Sequence, residues 1–221
     1  MAQIVITEIS YNPPESGNDS TEYIELYNSG ASAVNLNGYS FVQGVSYIFP
    51  SVTINAGDFI VMSVDSVAIQ HTFGISTLEW TSGSLSNNGE DIVLKDAMGI
   101  TVDSVDYDDN SPWPVGPPDP DGGGPSIELT SIALDNNLAS SWGISTTPVP
   151  GVVVNGNQVY GTPGAFAASS SQLSTTVSGI DITCHGLMNG SAKVNTTGGV
   201  PPYTYSWSPG RVIGQGTDSI S

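Results

Sequence analysis

The chain has 221 residues, room for one domain of ordinary size and a smaller unit, since domains most often run to roughly 100–150 residues. Its 26 Gly, 15 Pro and 38% hydrophobic content suit many short strands joined by sharp turns. Against 21 acidic residues stand Lys95, Lys193 and Arg211, a net charge of -18 that argues against direct nucleic-acid binding, which needs Lys and Arg to neutralise phosphates, and against adsorption to anionic membranes.

Met1-Ala2-Gln3 leads straight into an alternating run, Ile4 to Ile9, with no secretory leader ahead of it. Tyr23 to Tyr27 alternates again and stops at the turn signal Asn28-Ser29-Gly30. "YSFVQG" and "VSYIFP" read as a hairpin around Gly44, and "VTINAGDFIVMSV" as two strands around the turn Asn55–Asp58. The one helix expected runs within Asp65 to Gly74, with Asp65 or Ser66 as its N-cap and Gly74 as its stop. Two more strands flank the turn Asp96–Gly99. "SPWPVGPPDPDGGGP" lacks any period and is expected to cross the surface as a loop before the strand "SIELTSI". No stretch of about 18 apolar residues occurs, so no helical membrane span is expected.

Near residues 166–175 the composition turns small and polar, and residues 168–175 read as a Ser/Thr-rich linker. Three or four strand signals follow, among them "VSGIDITCHG", "GSAKVNTTGG" and "PPYTYSWSPG". A sandwich needs about seven strands, so residues 176–221 read as a unit cut short before its last strands. The single thiol, Cys184, makes no internal disulfide, and the first unit must fold by packing alone. The scarcity of Lys and the abundance of Ser, Thr, Asn and Gly favour an extracellular or cell-surface chain whose leader has been removed over a cytosolic one.

The segments "ITEISYNP", "EYIELYN", "NLNGYSF", "INAGDFIVM", "LSNNGEDIVLKD", "VDSVDYDDNSPWP", "GGGPSIELTS", "DNNLASSW" and "GTPGAFA" follow one another in an order that resembles the bacterial lamin tail domain, over residues 3–167. The resemblance implies an all-β, immunoglobulin-like β-sandwich acting as a non-catalytic interaction module on secreted or surface proteins. "DITCHGLMNGSAKVNTTGGVPPYTYSWSPG" resembles the SprB-type repeat of gliding-motility adhesins. This second resemblance implies a partial second β-sandwich repeat. A full repeat would run on to a further strand and a second Cys.

Chemistry is sparse. The two histidines, His71 and His185, form no nucleophile–base pair; Cys184 and His185, as strand neighbours, point to opposite faces. No clustered Cys/His set for zinc is present. Glu8, Glu22 and Glu25 have the residue type of a glycosidase pair, but the lamin-tail resemblance makes them scaffold residues, capping or pairing at the sandwich edge. Calcium, which takes six to eight oxygen ligands, is the cation candidate. Two alternative acidic loops would supply it: Glu15, Asp19 and Glu22, or Asp106, Asp108, Asp109, Asp119 and Asp121. The same residues equally suit solvated loops. Trp80, Trp113 and Trp142 are expected to pack inside, the other choice being an exposed carbohydrate platform.

These readings converge on a non-catalytic extracellular module for adhesion, surface display or protein interaction. Its partner would be an unknown protein or a surface glycan. The alternatives are an accessory or targeting module of a secreted hydrolase or nuclease, and a carbohydrate-binding module.

Overall fold

A computed structural model of the chain describes residues 3–166, 174–181, 190–197, 205–207 and 218–220. The chain divides into two compact units, Met1–Ala167 and Ala168–Ser221. The first opens with β1 (Ile4–Ser10) and β2 (Tyr23–Asn28), then β3 (Val34–Asn35), β4 (Ser40–Gln43), β5 (Tyr47–Ile48) and β6 (Thr53–Ile54). Next come β7 (Phe59–Ser63), α1 (Ser66–Phe73), β8 (Leu78–Glu79), β9 (Glu90–Lys95) and β10 (Thr101–Tyr107). The unit closes with β11 (Ile127–Leu129), β12 (Trp142–Ile144), β13 (Pro148–Val154) and β14 (Asn157–Tyr160).

Two sheets carry the unit: six strands in the order β12-β11-β1-β2-β7-β8 and four in the order β10-β9-β4-β5. Ile4, Ile6, Ile9, Ile24, Leu26 and Met62 of the first share one buried cluster with Phe41, Ile92, Leu94, Val105 and Tyr107 of the second. Full burial of each such side chain contributes roughly 1.5–3 kcal/mol, and this shared core makes the unit a β-sandwich. In β1 the register passes from Ile6↔Leu26 to Glu8↔Glu25, leaving Thr7 as the extra residue of a β-bulge. The bulge switches the strand's parity. Ile4 and Ile6 reach the core before it, Ile9 and Tyr11 after it, and Glu8 falls on the opposite face.

That outer face of the six-stranded sheet is also covered. The Asp65 carboxylate caps α1 by accepting from the Val67 and Ala68 N–H groups at 2.9 Å, and Gly74 ends the helix in the left-handed region at φ 74. Ile69 and Phe73 of the helix then pack on Tyr23 and Val61. After the β13–β14 hairpin, the exit segment, residues 161–166, returns across the same face. Its Phe166 stacks edge-on against Tyr27 and Phe59, at 4.6 and 5.0 Å between ring centroids.

The strands flanking Asn55–Asp58 do form, but they do not pair with each other. β6 pairs with β3 and β7 with β2, because the turn, pinned to Asn28 by two backbone hydrogen bonds, redirects the chain. The hairpins around Gly44 and Asp96–Gly99 form as β4–β5 and β9–β10. Trp80, Trp113 and Trp142 are 5–7% exposed, so these three offer no carbohydrate platform. The indole N–H groups of Trp80 and Trp142 donate to the carbonyls of Gly83 and Asn136.

In the second unit, β15 (Ser174–Ile180) pairs antiparallel with β16 (Ser191–Thr197), which pairs with β17 (Ser219–Ile220). β15 begins inside the stretch that reads as linker. Lys193 and Asp218, 3.6 Å apart, make the one ion pair among the described residues. The Tyr205 hydroxyl donates to Thr196 Oγ1 at 3.2 Å. Cys184 and His185 lie outside the described residues.

Candidate functional site

The densest chemistry lies on the covered outer face. Strand register places Glu8 directly opposite Glu128 of β11 on one side and Glu25 of β2 on the other. Three like-charged side chains in a row across adjacent strands repel one another when ionised. Glu8 and Glu25 sit in the two middle strands, not at a sheet edge, and each is 1% exposed. Glu8 Oε1 accepts from the Tyr23 hydroxyl, from Ser126 Oγ at 2.6 Å and from the Thr162 N–H at 3.0 Å. Glu25 accepts from Thr7 Oγ1 at 2.7 Å and from the Gly164 N–H at 2.6 Å. The Thr162 hydroxyl reaches both Glu8, at 3.4 Å, and Glu128, at 3.1 Å.

Burial, with the neighbouring Glu128 charge second, pushes the Glu8 carboxyl up to about 8 despite its three donors. Burial and then the Glu8 charge hold Glu25 well above the usual carboxylate range, and burial raises Glu128. The three interact, so their protons leave as a set, and near neutrality the row retains protons. Glu8 and Glu25 therefore do come together as a pair. The exit segment lies directly over them, and a side chain at Gly161 would approach the Tyr23 hydroxyl to 2.5 Å and Glu8 Oε1 to 3.1 Å. No groove for a sugar exists there.

A further buried carboxylate, apart from that row, joins the two sheets. Asp103 on β10 is 9% exposed, and its Oδ2 accepts from the Ile6 N–H of β1 at 2.7 Å and from Asn136 Nδ2 at 2.8 Å. Burial, outweighing these donors, pushes Asp103 up to about 6. Sequence reading missed it, although its place in the alternation Asp103–Val105–Tyr107 puts an acid on a core-facing register.

In the first acidic loop Glu15 accepts from Thr21 Oγ1 at 2.5 Å and Ser20 Oγ at 3.2 Å, and Asp19 from Asn87 Nδ2 at 3.4 Å. Glu22, 2% exposed, accepts from the Leu85 N–H at 2.9 Å. Burial first, then the charges of Asp19, Glu90 and Glu15, lift it to about 7. Asp19 and Glu22 thus tie this loop to residues 85–87, while Glu15 braces its own loop. Glu90, not foreseen from sequence, accepts from the Ser86 N–H and the Tyr107 hydroxyl beside them. The second loop splits. Asp106 lies across from Asp91, on the face of β10 opposite Val105 and Tyr107. Asp121 accepts from Asn12 Nδ2 at 2.5 Å, and Asp119 from the Asp121 N–H at 3.2 Å. Asp108 and Asp109 accept from Asn110. Asp108, Asp109, Asp119 and Asp121 all act on the Tyr11 hydroxyl, which burial and then their charges push upward. Tyr11 is 1% exposed, and its hydroxyl has no hydrogen-bond partner in the protein. Among the described residues no three His, Cys, Asp or Glu side chains converge as a ready-made metal centre. His71 lies on the surface of α1.

No described helix is long and apolar enough to cross a membrane. No curated protein matches the chain at a significant level. Family models do match: the Lamin Tail Domain over residues 1–109 and the SprB repeat over residues 176–212. The first match spans the strands from β1 through β10, and the compact unit continues beyond it to Ala167. The chain thus carries a lamin tail domain, with its immunoglobulin-like β-sandwich, followed by a SprB repeat, a pairing of non-catalytic modules that points to a cell-surface protein.

Proposed function

We propose that the chain is an extracellular, non-catalytic module for adhesion, surface display or protein interaction. The observation that carries this reading is the joining of a lamin tail domain to a SprB repeat in one chain. The fate of the carboxylates supports it. Glu8, Glu22, Glu25 and Asp103 are all spent on internal hydrogen bonds, so these four act as scaffold and do not form a solvent-facing acid–base pair. Recognition would then come from loops and strand edges held on a rigid scaffold. Microspheres coated with the full chain should be retained under flow on protein- or polysaccharide-coated glass more strongly than spheres coated with an inert protein of equal negative charge. Equal retention on every surface would refute an adhesive role. A role beside a secreted hydrolase or nuclease is the alternative, and it predicts a catalytic domain in the same reading frame.

A second reading concerns calcium at Asp108, Asp109, Asp119 and Asp121, favoured by the unpartnered Tyr11 hydroxyl that these acids surround. With no three acids already converged, water and backbone carbonyls would complete the shell. Millimolar calcium should raise the melting midpoint above that in chelator, and Asp119→Asn should abolish the rise. An unmoved wild-type midpoint eliminates the site, and the Glu15, Asp19 and Glu22 loop with it.

A further inference from the structure

We propose that residues 161–164 form a proton-held strap, closed over the Glu128–Glu8–Glu25 row while that row keeps its protons and lifted as the row ionises. The geometry is that of a lid bonded to what it covers. The strap's Thr162 N–H and hydroxyl and its Gly164 N–H bond the three carboxyl groups. Gly161 sits so close that even a methyl group would collide with the Tyr23 hydroxyl. Water is thereby kept from Glu8 and Glu25, each 1% exposed.

The groups facing the row offer it no counter-charge. β1 supplies Thr7 and Glu8, β2 supplies Tyr23 and Glu25, β11 supplies Glu128 with Ser126 just before it, α1 supplies Phe73, and the strap supplies Thr162 and Gly164. None of these is basic. Protons are the remaining means of neutralising the row. With the strap open, water solvates the carboxylates and returns them toward their ordinary range. With it closed, burial and mutual repulsion hold protons on them. Closing therefore takes up protons, and rising pH opposes it by as much as about tenfold per pH unit for each proton involved. The donors on the strap act the other way, since an N–H favours an ionised acceptor, but burial and repulsion exceed them here. At its two ends the strap is held by contacts that do not titrate: Tyr160 on Gly124, and Phe166 on Tyr27 and Phe59. Opening is thus local.

Amide hydrogen exchange on the full chain tests this. Protection factors, corrected for base catalysis, are compared between about pH 5.5 and about pH 9. Thr162 and Gly164 should lose at least about tenfold in protection relative to Ile24 and Leu26 of β2. In the Glu8→Gln, Glu25→Gln double variant that loss should vanish, and Glu128→Gln alone should lessen it should the double variant not fold. Protection at Thr162 and Gly164 that tracks Ile24 and Leu26 across the range, or a loss undiminished in the variants, would overturn the strap.

Discussion

Glu8→Gln is expected to raise the urea-unfolding free energy at about pH 8 by roughly 2–4 kcal/mol while changing it little near pH 5. The folded Glu8 holds its proton up to about 8, against an ordinary value of 4.5. Between those values the folded chain binds more protons than the unfolded one, so stability falls as pH rises through that window and levels off above it. Glutamine keeps a carbonyl to accept from Tyr23, Ser126 and Thr162 and places its amide donors beside Glu128, with no charge to bury. Part of the acid-side gain belongs to the whole molecule, whose net charge of -18 repels itself less as carboxylates protonate. That share is common to both proteins, so the diagnostic is the gap between the two pH profiles. Parallel profiles would show that Glu8 does not carry the burden assigned to it.

Asp103→Ala should lose on the order of 3 kcal/mol at neutral pH, because the buried Ile6 N–H loses its acceptor and Asn136 Nδ2 loses one of its two, keeping the Ile6 carbonyl. Asp103→Asn should lose less than half of that, since its carbonyl oxygen still faces both. Denaturant unfolding of the two variants separates a hydrogen-bonding role from a charge role; equal losses would mean the negative charge itself is what the site uses. The link matters because Asp103 belongs to the four-stranded sheet and Ile6 to the six-stranded one, so the bond stitches the layers beside the bulge, where β1 lacks a partner strand opposite Ile6 on its β11 side.

What was legible from sequence followed from local rules. The helix and both caps were readable because Asp65 and Gly74 act on their own backbone neighbours. The β4–β5 and β9–β10 hairpins were readable because each turn joins its own partners. The site was legible only in part. Glu8 and Glu25 stood out as acids in alternating strands, but their burial depends on Thr162 and Gly164, more than a hundred residues along the chain, bending back over them. Glu128 escaped notice for the same reason: between Ile127 and Leu129 it reads as a solvent-facing strand residue. Nor does alternation reveal a bulge. Counted straight through Thr7, β1 would send Glu8 to the core and Ile9 outward.

The path of the exit segment also has a mechanical meaning. The entering strand β1 and the departing residues 161–166 meet at the same carboxyl groups. Tension drawn through residue 166 would peel Phe166, Gly164 and Thr162 in that order before reaching the sandwich core. Within this unit, a pull on that end would meet the proposed strap ahead of the core, and the acidity of the surroundings would then set part of the resistance it offers.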